Sequence, residues 1–200
     1  MAESSFIHEG GWSREQGLAR LETPARLRSR ENERLWEMVG LVRGESVADV
    51  GAGTGYFAFE AARRVGPRAT VWAIDISPDL VALLEERRRA WRRPRLTPVR
   101  STPERIPLPG AIADVVLLAN FLHGAPGGTV REATRLLKPR GRFVVVDWEK
   151  RESNHGPPLA RRLSLSEAET RLRGVGLVPV AEGRLGAEHY VIVATPRPDG

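Results

Sequence analysis

At 200 residues and 41% hydrophobic, the chain has room for one domain with a sizeable core and is too apolar for a disordered polypeptide. The absence of cysteine excludes disulfides, thiolate metal sites and cysteine nucleophiles, and four scattered histidines argue against a metal centre. The formal charge of +6, in which only Lys138 and Lys150 are lysine, puts nucleic acid among the partners to be weighed, whereas the lack of both a basic-then-apolar leader and an apolar run near the ~18 residues of a membrane helix suits a soluble cytoplasmic protein.

In chain order, residues 1–44 form a first segment. Phe6-Ile7-His8-Glu9-Gly10-Gly11-Trp12 is apolar and glycine-bearing, as in an arm packed over a core. Thr23-Pro24 pairs an N-cap with a proline at the first helical position. The helix it opens runs to Val39, with room for a break near Ser29. Leu27, Leu35, Met38 and Val39 then fall mostly on one face, and Gly40 ends it. From Glu45 apolar strands alternate with amphipathic helices, the pattern of a parallel sheet covered on both faces. Strands are expected at 46–50, 70–75, 96–100, 113–119, 141–148, 176–182 and 188–194. Helices are expected at 54–65, 78–91, 127–138 and 164–174. The link Gly183–Ala187 is too short for a parallel crossover, so the last two strands pair antiparallel. The fold class is therefore α/β, a Rossmann-like doubly wound sheet of seven strands with a C-terminal antiparallel hairpin. The sheet domain spans 45–195, and 196–200 form a tail.

The densest signal is Val47-Ala48-Asp49-Val50-Gly51-Ala52-Gly53-Thr54-Gly55-Tyr56, a short strand that ends at an acidic position and turns through three alternating glycines into a helix. Glycines permit backbone angles and close approaches that a Cβ forbids, so a polar small molecule can lie against the main chain. Dinucleotide folds favour G-x-G-x-x-G, with the third glycine beside a pyrophosphate. Here the spacing is G-x-G-x-G, and no phosphate cradle is implied. A second strand ends at Asp75-Ile76-Ser77, 20 residues after Gly55, where a carboxylate can accept both hydroxyls of a ribose.

This pair of motifs resembles motif I and the second acidic position of the class I S-adenosylmethionine-dependent methyltransferases. Further along, the resemblance takes in Ser101-Thr102, the Ile106-Pro107-Leu108-Pro109 turn, Asp114–Asn120 and Leu136–Gly141. It covers roughly 45–195 and is closest to the ubiquinone/menaquinone-biosynthesis methyltransferases. It implies S-adenosyl-L-methionine as cofactor, held by Asp49, Gly51, Ala52, Gly53, Thr54 and Gly55 at the turn. Tyr56, Asp75, Ile76, Ser101, Thr102 and Asn120 complete the set. Ser101 stands where many relatives carry aspartate, so a hydroxyl replaces a carboxylate near the adenine. The segment Gly124–Gly128 is shorter than in several relatives.

Methyl transfer needs positioning rather than a protein nucleophile. Where the acceptor must lose a proton, His123, a few residues past the fourth strand, is the base candidate, its rival role being a hydrogen bond to loop backbone. Phe6, Trp12, His123 and His155 are expected around a small-molecule acceptor, with the arm closing over it. The cluster Arg87–Arg89, Arg92, Arg93 and Arg95 is expected at the far edge of the sheet as a solvated helix end. Arg151, Arg161 and Arg162, on the active edge, are placed to attract an acidic substrate. Two rivals stand beside a small-molecule methyltransferase: an RNA methyltransferase, for which no RNA-binding module is present, and a cofactor-binding protein without turnover.

Overall fold

The computed structural model describes residues 12–91 and 95–197. Three short helices lead into the sheet: α1 (Arg14–Leu21), α2 (Pro24–Ser29) and α3 (Glu31–Val39). The first was not expected, although Ser13 and Gln16 form a capping box that fixes its start. Thr23 caps α2 as expected, its hydroxyl accepting from the Arg26 amide at 3.2 Å. The break comes at Arg30, which adopts a left-handed φ of 54° between α2 and α3.

Among the described residues a seven-stranded sheet follows: β1 (Val47–Val50), β2 (Val71–Asp75), β3 (Leu96–Arg100), β4 (Ala113–Ala119), β5 (Leu137–Trp148), β6 (Leu177–Leu185) and β7 (His189–Pro196). Its order is β3-β2-β1-β4-β5-β7-β6. Strands β1 to β5 are parallel, and β7 pairs antiparallel with both β5 and β6. The edge strands carry Pro98 and Pro179, where a missing N–H costs no interior ladder bond. Helices α4 (Tyr56–Val65), α5 (Pro78–Trp91), α6 (Gly127–Leu136) and α7 (Leu165–Arg173) cover the sheet.

Alternation along the strands divides the core in two. Val47, Val144, Val146 and Val191 point toward α3 and α4, meeting Leu35, Trp36 and Phe57. Val50, Val116, Val145 and Ile192 point toward α6 and α7, meeting Val130, Leu136 and Leu172. Helix α6 stops at Leu136, two residues short of the expected end, and the chain enters β5 at once. Leu137 pairs with Ala113, but Val115 pairs with Arg142, so the Lys138-Pro139-Arg140-Gly141 stretch is accommodated as an irregularity in the strand.

Candidate functional site

The glycine turn is tied down by the strand beside it. Gly51 and Ala52 both donate to the Ile74 carbonyl at 2.9 Å, and Gly53 donates to Asp75 Oδ2 at 2.8 Å. Asp75 Oδ1 accepts from Ser77 at 2.9 Å. Gly51, Gly53 and Gly55 all have positive φ, at 78°, 56° and 90°, a region that costs other residues strain. The glycines are thus obligatory. Asp75 is buried, and burial raises its pKa against the opposing amides of Ser77, Gly53 and Ile76. Each oxygen keeps a lone pair beyond its amide contact, the capacity that two ribose hydroxyls require.

At the neighbouring strand end, Asp49 is 1% exposed, and neither carboxylate oxygen reaches a full hydrogen-bond partner. Desolvation, reinforced by the Asp75 charge, pushes its pKa up to about 7; the Ala58 amide at the start of α4 and Arg26 act the other way. Arg26, on α2, lies over the Tyr56 ring at 4.7 Å, and its buried Nε is also unpartnered. Tyr56 in turn donates its hydroxyl to the Arg26 carbonyl at 3.0 Å, fastening α2 to α4. A carboxylate and a guanidinium with spare bonding capacity suit the two charged groups of an amino acid. Nothing in the sequence pattern marked Arg26, because it sits in a helix outside the motif.

The raised pKa has a measurable consequence. Because folded Asp49 holds its proton above the unfolded value, its favourable contribution is complete below pH ~4 and disappears as pH rises through about 7. The ligand-free protein should therefore lose thermal stability from pH 5 to 8, by at most about 2.5–3 kcal/mol. Binding that pairs Asp49 with an ammonium should tighten over the same range. Asp49→Asn should flatten both profiles; an unchanged slope in that variant would assign the pH dependence to another group.

Helix α1 covers the turn. Leu21 Cδ1 lies 2.6 Å from where a Gly53 Cβ would stand, and Phe121 packs at 3.3 Å over the equivalent point on Gly51. Glu22 is held by Arg87, which also donates to the Thr54 carbonyl at 2.9 Å. This corrects the expectation that the whole arginine cluster lies at the far edge: the third turn of α5 passes beside the glycine turn, and Arg87 reaches it. Arg88 and Arg89 do pair with Glu85 on their own helix, while Arg92 and Arg93 lie outside the described residues. The Trp12 carbonyl accepts from Ser77 Oγ at 2.5 Å, which puts its backbone on the β2 side of the turn. Phe6 lies outside the described residues.

The β4–β5 edge carries Asn120, His123 and Asp147. Asn120 adopts φ 55°, its amide donates to Val146 at 2.7 Å, and its Oδ1 is buried without a partner. A 3-10 turn, Leu122–Gly124, follows. In it His123 Nδ1 lies 2.8 Å from Asp147 Oδ1, and the His123 amide donates to Asp147 Oδ2 at 2.8 Å. Asp147 is fully buried; against its carboxylate Nδ1 is the donor nitrogen, which leaves Nε2 as the acceptor. No motif singled out Asp147, although an aspartate following Val144-Val145-Val146 in a buried strand is the available signal.

The remaining expected residues divide. Ser101 donates its amide to the Asp75 carbonyl at 3.0 Å, at the adenosine side of the turn, next to half-buried Ile76. Thr102 is exposed, and its hydroxyl accepts from the Arg105 amide at 3.1 Å. The Thr54 side chain is buried and Ala52 is 9% exposed, so these two contribute backbone to the turn. His155 faces outward, paired with Glu188 at 2.5 Å. Arg162 is not available to a substrate: buried, it donates to the carbonyls of Pro157, Arg151 and His155 and to Ser153 Oγ.

With this geometry in view, residues 48–145 match a family model described as a methyltransferase domain. The chain is 32% identical over 127 residues to the ubiquinone/menaquinone biosynthesis C-methyltransferase of Cupriavidus necator, across 58% of this chain and 51% of that protein. It is 37% identical over 114 residues to the demethylmenaquinone methyltransferase of Tropheryma whipplei, across 56% and 45%. It thus spans about half the length of these curated relatives. A crystal structure of a SAM-dependent methyltransferase from Aquifex aeolicus superposes with a TM-score of 0.84 at 26% identity, covering 92% of this chain and 98% of that one. The sheet order, the G-x-G-x-G turn bonded to Asp75 and these likenesses agree, and the chain belongs to the class I S-adenosylmethionine-dependent methyltransferases.

Proposed function

We propose that this protein methylates a small hydroxyaromatic acceptor of the reduced-quinone type, and that His123 acts as its base. The observation that carries the reading is the His123–Asp147 pair at 2.8 Å, at the end of β4 and two residues from the Phe121 that packs on Gly51. The names of the relatives, a ubiquinone/menaquinone biosynthesis C-methyltransferase and a demethylmenaquinone methyltransferase, supply the acceptor class, and the first of them the attack at carbon. Bound at the turn, S-adenosylmethionine supplies an electrophilic methyl carbon on a sulfonium. Asp75 is placed for its ribose, and Asp49 and Arg26 for its ammonium and carboxylate. His123 Nε2 would take the phenolic proton, and the electron density this leaves on the ring would let the carbon bond the methyl group as its bond to sulfur breaks; loss of that carbon's own proton, with the oxygen regaining one, restores the aromatic hydroxyl, and Asp147 holds the imidazolium. The short α1, with Leu21 and Phe121 packed on the turn, serves to exclude water from the reacting groups.

Calorimetry should detect S-adenosylhomocysteine and no comparable binding of NAD, because the turn has no phosphate cradle. Anaerobic incubation with methyl-labelled S-adenosylmethionine and naphthohydroquinone should then place label on a ring carbon. Label on oxygen alone would overturn carbon methylation, and no transfer at all would overturn the acceptor class.

A further inference from the structure

The unexplained group nearest this site is His189, the first residue of β7. It pairs across the ladder with Trp148, and the two rings lie 4.4 Å apart at 53°. His189 is 7% exposed and both ring nitrogens are buried; the Leu185 backbone stands near the ring, but neither nitrogen makes a hydrogen bond of full geometry. A group that fits such buried, unpaired atoms recovers the free energy that leaving them without partners costs. His189 is also part of a pattern. Asp49 carries two unpartnered oxygens, and Asn120 Oδ1 and Arg26 Nε are buried without partners as well. The charge of Arg26 acts on both Asp49 and His189, so the guanidinium lies within electrostatic reach of each.

Strand alternation fixes the directions. Asp49 follows Val47 by two, Trp148 follows Val146 by two, and His189 precedes Val191 by two; all three valines face α3 and α4. Asp49, Trp148 and His189 therefore project from one face of the sheet, at the strand ends that form the active edge. Between β1 and β7 lie β4 and β5, so three strand spacings, about 14 Å, separate the Asp49 position from His189. That span is the length of edge along which a planar ring system beyond a cofactor at β1 would lie, across β4 and β5.

We propose that His189 is an acceptor-contact residue, its imidazole hydrogen-bonding an oxygen at the end of the acceptor remote from the methylated carbon, with Trp148 as the aromatic wall. The proposal rests on the hydroxyaromatic reading above and extends it to a second oxygen. A neutral imidazole has one donor and one acceptor nitrogen, so it can bind a hydroxyl or a carbonyl at that place. Burial, followed by the charge of Arg26, holds His189 down to about 4, which keeps it neutral under working conditions. Its role is thus recognition, distinct from the proton transfer given to His123.

The test uses His189→Phe, which preserves a ring against Trp148 and removes both nitrogens. The variant should bind S-adenosylhomocysteine within twofold of wild type and melt no lower, since two unpaired polar atoms are gone. Its KM for naphthohydroquinone should rise at least tenfold while kcat changes less. Histidine-selective nitrogen NMR of the wild type should show the His189 resonances shifting when naphthohydroquinone joins S-adenosylhomocysteine, and not with S-adenosylhomocysteine alone. A shift with S-adenosylhomocysteine alone would put His189 in the cofactor site and overturn the proposal. Normal methylation with unmoved resonances and an unchanged KM would overturn it while leaving the proposed function standing. If the wild type neither methylates naphthohydroquinone nor shifts, the two readings fall together. A shift without methylation would sink only the proposed reaction.

Discussion

Gly53→Val is expected to abolish cofactor binding, with affinity for S-adenosylhomocysteine falling at least a hundredfold. Two separate effects act at this position. The residue has φ 56°, and a β-branched side chain held there costs about 1–3 kcal/mol in backbone strain. In addition, the new Cβ would stand 2.6 Å from Leu21 Cδ1, a distance that forces the end of the Leu21 side chain aside, and the added γ-methyl groups of valine press further on α1 and the turn. If the turn moves, the Gly53 amide leaves Asp75 Oδ2, and the carboxylate meant for the ribose loses its register. Pairing the substitution with Leu21→Ala separates the effects: relief of the collision should restore part of the melting temperature and little of the affinity. Calorimetry that finds wild-type affinity in a folded Gly53→Val protein would place the cofactor elsewhere.

Asp147→Asn should lower kcat on the acceptor by about a hundredfold or more, in line with the loss seen when a histidine-orienting aspartate is made an amide. Asp147 accepts from the His123 amide, from His123 Nδ1 and from the Trp148 amide, each at 2.8 Å. An asparagine can satisfy these donors only through its oxygen, and its NH2 group would face at least one of them. The ring is then free to turn or to change tautomer. Loss of stability of about 1–3 kcal/mol should accompany the change, because a buried donor is left unpaired. His123→Gln controls for this: it should lose comparable kcat with less loss of stability. Were Asp147→Asn to melt early yet turn over normally below its transition, the pair would be a structural tie and His123 would not be the base.

Much of the fold was legible because hydrophobic period and breaker residues act locally. The strands fell within a few residues of their expected positions, and the short link before His189 correctly required an antiparallel β7. The end of α6 was misjudged because the junction at Leu137 depends on pairing with Ala113, a tertiary contact that no local pattern encodes. The glycine turn and Asp75 were readable for a similar reason: their spacing is set by one strand–turn–helix unit. Arg26, Asp147 and His189 were not, since each comes from a different element and they meet only when the sheet is assembled. Arg162 shows the opposite error. Its place after β5 suggested a role toward substrate, but its guanidinium is spent on the loop that surrounds it.

The placement of β7 has a consequence for how the molecule comes to exist on the ribosome. It is the last strand in chain order, yet it fills an interior position between β5 and β6. Until it is synthesised, β5 presents an open ladder edge and β6 has no partner in the sheet, so the nascent protein carries unpaired strands of the kind that invite association with other chains. Val191 and Ile192, both buried, close the two halves of the core only at that stage. The strand that completes the sheet also brings His189 opposite Trp148, so a nascent chain can build the glycine turn early, but the β5–β7 side of the edge is finished only when translation has passed β7.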